Sequence, residues 1–202
     1  NSKEPIIHSA QNTNKKSLSK ENLPNPKVPK NDKDKKSDMP KKQKKIFIVG
    51  DSLLNGISEK GFKKSNVSVK PHPGATSNDL THYIKPIVHK KPDTIIVHCG
   101  TNDISNNIKT IDHLKMIDDY IKSNSPDTKL VISSLIIRKD KVSYEKNVSL
   151  MNERLERFTT KNNIDFINNS NVKESCLSRS KLHLNRKGNS VLANNFITYV
   201  NK

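Results

Sequence analysis

The sequence is poor in the residues that build aromatic cores and flexible loops. It has no Trp, 4% aromatic residues and six glycines among 202 positions. Its two cysteines, Cys99 and Cys176, are too few for a disulfide framework and have no metal-ligand spacing. Both are expected to be reduced thiols in an intracellular protein, cytoplasmic or nuclear. No stretch approaches about 18 consecutive apolar residues, so no helical membrane span is expected. A charged-then-apolar leader is not visible, and Asn1 rather than Met stands first, so a processed chain or a fragment is expected. There is no phosphate-cradling glycine loop and no clustered His/Cys/Asp/Glu set, so neither a cofactor nor a metal is expected. Acidic residues are also short: 20 Asp+Glu stand against 37 Lys+Arg, a formal net charge of +17.

The charge and the prolines are concentrated at one end. Residues 1–45 hold 13 Lys and five acids, a net of 13 − 5 = +8, and five of the ten prolines. Seven hydrophobic residues in that stretch offer too little apolar surface to offset chain entropy, which costs about 1–2 kcal/mol per residue. The segment is expected to be disordered. Its basic runs, such as Lys41-Lys42-Gln43-Lys44-Lys45, have two readings: a solubilising linker, or a tail that binds nucleic acid or another polyanion. No aromatic residue interleaves the lysines, so only salt-sensitive phosphate attraction is supported. Residues 46–202 number 157 and are long enough to bury one stable core.

Within 46–202, apolar runs alternate with helical periodicity. Ile46–Val49 reads as a buried strand ended by Gly50-Asp51-Ser52, and Val67–Val69 as a short second strand. Leu80, Tyr83, Ile84, Ile87 and Val88 mark a helix capped by Thr76 or Ser77, with Pro86 as a kink site. Thr94–Cys99 is a third strand, and Ile108 to Ile121 a second helix. Leu130–Ile137 is a fourth strand, and Val148 to Phe158 a third helix. Ile164–Ile167 is the last strand, with a closing helix after Gly188. Five strands alternating with helices predict an α/β flavodoxin-like three-layer sandwich with a parallel sheet ordered 2-1-3-4-5. In that order a crevice opens at the carboxyl ends of strands 1 and 3. Gly50-Asp51-Ser52 and Gly100-Thr101-Asn102-Asp103 both fall there.

A serine on such a turn can project into the crevice, and a helix starting at Leu53 would aim free N–H groups at an oxyanion. It needs a base. Of the seven histidines, His98 either packs in the core or lines the crevice. His183 lies in a loop that can fold back over the switch point. Cys99 reads as core filler.

Four segments carry a resemblance. Ile48-Val49-Gly50-Asp51-Ser52-Leu53 resembles the nucleophile block of the SGNH (GDSL-type) hydrolases. Pro73-Gly74-Ala75-Thr76 resembles their glycine block, Gly100-Thr101-Asn102-Asp103 their asparagine block, and Leu182-His183-Leu184-Asn185 with Gly188 their histidine block. The blocks occur in family order. Their form, with the Lys-rich flank, is also similar to esterase-like domains encoded by non-LTR retrotransposons of animals.

The resemblance implies that Ser52 attacks an ester carbonyl. The backbone N–H groups of Ser52 and Gly74 and the amide of Asn102 would hold the oxyanion, and His183 would be the base. Asp51 is read as ordering the turn. The family's acid stands three residues before the histidine, where this chain has Ser180. A hydroxyl, a carbonyl or a water can accept the imidazole N–H in its place, and Glu174 or Asp165 reaching in from elsewhere are the acidic substitutes. Two functions follow. One is a serine esterase acting on a small acyl ester, acetyl-type or lipid, through an acyl-enzyme on Ser52. The other is a catalytically weak or inactive binding or assembly module with a nucleic-acid-tethering tail, retroelement-derived.

Overall fold

A computed structural model describes residues 43–63, 65–104 and 109–202. Of the predicted disordered tail, residues 1–42 lie outside the described residues, and Lys45 is already the first residue of a strand.

The strands are β1 (Lys45–Gly50), β2 (Asn66–Pro71), β3 (Thr94–His98), β4 (Lys129–Ser133) and β5 (Asp165–Ile167). All neighbouring pairs are parallel, and the order is β2-β1-β3-β4-β5, as the alternation predicted. The helices are α1 (Ser77–Tyr83), α2 (Lys85–Val88), α3 (Thr110–Asn124), α4 (Tyr144–Asn162) and α5 (Arg186–Val200). The helix predicted from Thr76 to Val88 is broken at Ile84, where Pro86 enters the next turn. Thr76 caps it in a full capping box with Asp79. The fourth strand is shorter than predicted: it ends at Ser133, and a last bond from the Ser134 N–H to the Ile167 carbonyl at 2.9 Å closes its pairing with β5.

Parity along each strand sorts the core into two faces. Phe47, Val49, Ile95, Val97 and Ile132 pack with Leu80, Leu114, Ile117 and Leu155 from α1, α3 and α4. Ile46, Ile48, Ile96 and Val131 pack on the other face with Leu53 and Leu54 and with Leu192 and Phe196 of α5. The 3-10 turn Ser52–Gly56 and α5 therefore share one side of the sheet. That places the start of α5, and the loop before it, against the turn after β1.

Strands β1 and β3 approach so closely that Gly50 is compulsory. A Cβ at Gly50 would lie 2.1 Å from the His98 carbonyl oxygen. Backbone cannot yield as a side-chain tip can. Gly50→Ala is expected to cost about 3 kcal/mol or more, read as a lowered urea midpoint. An unchanged midpoint would show that the two strands separate freely.

Candidate active site

The turn after β1 is tied to both flanking strands. The Asp51 N–H donates to the His98 carbonyl at 3.4 Å, and the His72 N–H donates to the Gly50 carbonyl at 2.7 Å. Asp51 caps the 3-10 turn by accepting from the Leu53 N–H at 2.9 Å, the ordering role read from the sequence. The predicted helix start at Leu53 is this single 3-10 turn. Ser52 is half-buried at its first position.

The segment after β2 is a type II turn. The Ala75 N–H donates to the His72 carbonyl at 3.0 Å, Pro73 sets the second position, and Gly74 takes the third at φ +80°. That φ strains any residue with a Cβ. The turn after β3 is locked onto this segment. Asn102 Nδ2 donates to the Ala75 carbonyl at 2.9 Å, and Asp103 accepts from the Ser77 N–H at 3.1 Å and from Thr110 Oγ1 at 2.8 Å. A primary amide has two N–H groups, so Asn102 keeps one to offer elsewhere. The backbone N–H groups of Ser52 and Gly74 have no acceptor among the described residues.

His183 arrives on a small antiparallel loop. Leu177 bridges Leu184, and the Ser178 N–H donates to the His183 carbonyl at 2.7 Å. Asn185 anchors this loop to α5. Its Oδ1 accepts from the Gly188 N–H at 2.9 Å, and its Nδ2 donates to the Ser175 and Leu177 carbonyls. Gly188 is needed because a Cβ there would lie 2.2 Å from the Cys176 carbonyl oxygen.

Ser52 and His183 line one cleft of ≈ 280 Å³, together with Leu53, Asn55, Gly56, Leu184 and Asn189. No hydrogen bond joins Ser52 to His183. Gly74 and Asn102 do not line that cleft; they are held to each other's loops beyond the adjacent strand ends. A larger depression of ≈ 580 Å³ is lined by Glu153, Glu156, Arg157, Thr160 and Lys161. All five come from α4, and one helix surface cannot converge groups on a reacting atom.

No carboxylate meets the His183 ring among the described residues. Ser180 Oγ bonds Ser178 Oγ at 2.8 Å and accepts weakly from the backbone N–H groups of Leu182 and His183, both at 3.4 Å. Glu174 is committed to Lys181 at 2.8 Å and Lys139 at 3.0 Å. Asp165 is committed to Lys129 at 2.7 Å and the Tyr199 hydroxyl at 2.7 Å, where β5 begins. Of the two readings of His98, the core one holds. It is fully buried, pairs with Ser133 Oγ at 3.0 Å, and burial holds its ring down at about 4.

Sequence reading missed Arg138. Its Nη1 donates to the Thr101 carbonyl at 2.8 Å, beside Asn102. Its fork grips Asp140 at 2.6 and 2.9 Å, and the guanidinium lies 4.4 Å from the centroid of the Tyr144 ring. The only local signal was Arg138-Lys139-Asp140 breaking the apolar run of the fourth strand.

No protein-family model and no curated protein matches the sequence. Solved structures match its fold. A GDSL-like lipase from Bacteroides thetaiotaomicron aligns with TM-score 0.67 and 15% identity, over 78% of this chain and 88% of that one. The fold is that of the GDSL-type hydrolases. A catalytic mutant of an acetylxylan esterase from Geobacillus stearothermophilus aligns with TM-score 0.62 and 14% identity, over 79% and 94% of the two chains. A member of the lipolytic G-D-S-L family from Veillonella parvula aligns with TM-score 0.60 and 19% identity, over 76% and 96%. In this fold Ser52 follows β1 and His183 precedes α5.

Burial shapes the titration of the turn after β1. Asp51 is 1% exposed, and its Oδ2 has no partner. Burial pushes its carboxyl from 3.8 up to about 6, and the neighbouring Asp103 adds to the rise. The folded chain therefore holds this proton more tightly than the unfolded chain. Its stabilising effect is complete below about 3.8 and is lost as pH rises through about 6. Asp51→Asn retains an acceptor for the Leu53 N–H and removes the charge. The variant is expected to gain about 3 kcal/mol at most over the wild type at pH 8, and almost nothing at pH 4, in paired urea titrations. A gain equal at both pH values would contradict a buried ionised carboxylate.

Proposed function

We propose that the chain is a serine esterase of the SGNH type, acting on a small acyl ester, acetyl-type or lipid. One observation carries this reading: Ser52 and His183, distant in sequence, line the same cleft. The GDSL-like lipase and the acetylxylan esterase that share the fold support ester hydrolysis as the reaction class.

In this mechanism the Ser52 hydroxyl attacks the ester carbonyl while His183 takes its proton. Negative charge on the former carbonyl oxygen is met by the N–H groups of Ser52 and Gly74 and the second amide hydrogen of Asn102. Each such donor is worth about 10²–10³ in rate. Tethering Asn102 to Ala75 keeps the two outer donors in fixed relation, so little reorganisation is needed as charge develops. His183 returns the proton to the leaving alcohol, and water then hydrolyses the acyl group from Ser52 by the reverse sequence. No cofactor is required.

Among the described residues no carboxylate orients the ring of His183 or stabilises its cationic form. In a related triad the corresponding defect costs about 10⁴-fold. This favours a second reading, a weak or inactive binding module whose tail, residues 1–45, tethers nucleic acid inside the cell, as in a retroelement-derived protein. Loss of nucleic-acid binding on deletion of residues 1–45 would support that role for the tail, and unchanged binding would end it.

A fluorophosphonate probe is expected to label the full chain at Ser52, with labelling lost in Ser52→Ala and strongly reduced in His183→Ala. Ser180→Asp restores an acid at the position that the resemblance assigns to it, and is expected to raise kcat/KM for an acetyl ester, by up to about 10⁴-fold. Equal background turnover in the wild type, Ser52→Ala and His183→Ala would end the esterase reading.

A further inference from the structure

Beyond Ser133 the chain leaves the sheet, and the segment 134–139 has no regular structure. Its backbone groups are met one by one by separate parts of the fold. The Ser134 N–H donates to the Ile167 carbonyl at 2.9 Å. The carboxamide of Asn152, on α4, takes both backbone groups of Leu135, accepting from its N–H at 2.8 Å and donating to its carbonyl at 3.0 Å. Leu135 and Ile136 are buried. The segment therefore reaches Arg138 from an anchored base.

The next two residues hold the two loops that carry Asn102 and His183. Arg138 Nη1 donates to the Thr101 carbonyl at 2.8 Å, in the peptide unit that carries the Asn102 N–H. The Lys139 N–H donates to the Lys181 carbonyl at 3.0 Å, two residues before His183. Lys181 stands in the left-handed region at φ +57°, which a residue with a Cβ adopts where its surroundings hold it there. Its Nζ bonds Glu174, and Lys139 bonds the same carboxylate. The Arg138 guanidinium is restrained in turn. Its fork grips Asp140, the Tyr144 ring lies 4.4 Å away, and its side chain is 12% exposed. The pair with Asp140 alone would balance its charge. The added bond to Thr101, which is 3% exposed, joins it to the turn after β3.

We propose that Arg138 is a positioning residue of the Ser52 site: it anchors one short segment that holds the Asn102 loop through Thr101 and the His183 loop through the Lys139 N–H, and so fixes one loop relative to the other. Arg138 makes no hydrogen bond to Ser52, Asn102 or His183 and acts through the backbone of their neighbours. That this spacing serves ester hydrolysis rests on the esterase reading; the positioning itself does not. Lysine cannot replace Arg138, because an ammonium has no planar fork to span Asp140 and Thr101 together.

The test uses the full chain and compares Arg138→Lys with Arg138→Ala. Lysine keeps a cation beside Asp140 and Tyr144, so the comparison stands even where the alanine variant fails to fold. The first readout is the magnetic resonance signals of the Asn102 side-chain amide and the His183 ring. Both are expected to move in Arg138→Lys, with the Asn102 amide hydrogens exchanging with water at least about tenfold faster. Lys141→Ala removes the other cation over the Tyr144 ring and is expected to leave both signals in place. The second readout is fluorophosphonate labelling of Ser52 at varied probe concentration. The maximal rate is expected to fall at least about tenfold, and the half-saturating concentration to stay within about twofold. Unchanged Asn102 and His183 signals in Arg138→Lys, movement of only one of the two, or slower labelling through weaker saturation alone would each overturn the proposal. Failure of the wild type to label at Ser52 would instead remove the esterase reading, and the Asn102 and His183 signals would then decide the positioning role by themselves.

Discussion

The arrangement depends on one close approach of backbone to backbone. Gly50 closes β1 against the carbonyl of His98 with no room for a Cβ. Because of that contact the chain turns sharply at Asp51, whose N–H bonds the same carbonyl, and Ser52 emerges between the loops after β2 and β3. Widening the gap would uncouple Ser52 from both neighbours at once. The parallel sheet makes this possible, since all five strands release their carboxyl ends on one side and chemistry-bearing loops can meet there.

The second layer of order is polar. Asn102 bonds the Gly74 loop, Asp103 bonds the first amide of α1, and Arg138 holds the Thr101 carbonyl while gripping Asp140. Three consecutive residues, Thr101 to Asp103, thus each hold a distinct contact, and Asn102 retains a free side-chain amide hydrogen. The opposite side of the Ser52 turn is held differently. His183 sits on an exposed loop held by its backbone and by Asn185, with a serine in place of an acid. The proposed oxyanion donors Gly74 and Asn102 are thus tied loop to loop, and the side chain of the proposed base His183 has no hydrogen-bond partner among the described residues.

Charge bears on why no carboxylate meets the His183 ring among the described residues. Glu174, the carboxylate nearest in sequence to His183, is drawn away by Lys139 and Lys181. Cations outnumber acids 37 to 20 in this chain, and Glu174 has two of them competing for it. Arg186, at the start of α5, likewise has no carboxylate partner among the described residues.

The strands, the helices and their order were readable from the sequence because hydrophobic period is a local property. Ile46–Val49 and Thr94–Val97 could only be buried strands, and the turns after them had to carry Ser52 and Asn102. The four blocks also named Gly74 and His183, and tertiary structure placed His183 in the cleft of Ser52 while leaving Gly74 and Asn102 outside its walls. What sequence could not decide was every contact between groups that spacing does not relate. Arg138 reaches Thr101 only because the loop after β4 crosses the end of β3. Asp165 looked available to His183 until β5 placed it beside Lys129 and Tyr199. Side-chain partners of this kind depend on three-dimensional distance, which packing of the two helical layers sets and which no local pattern encodes.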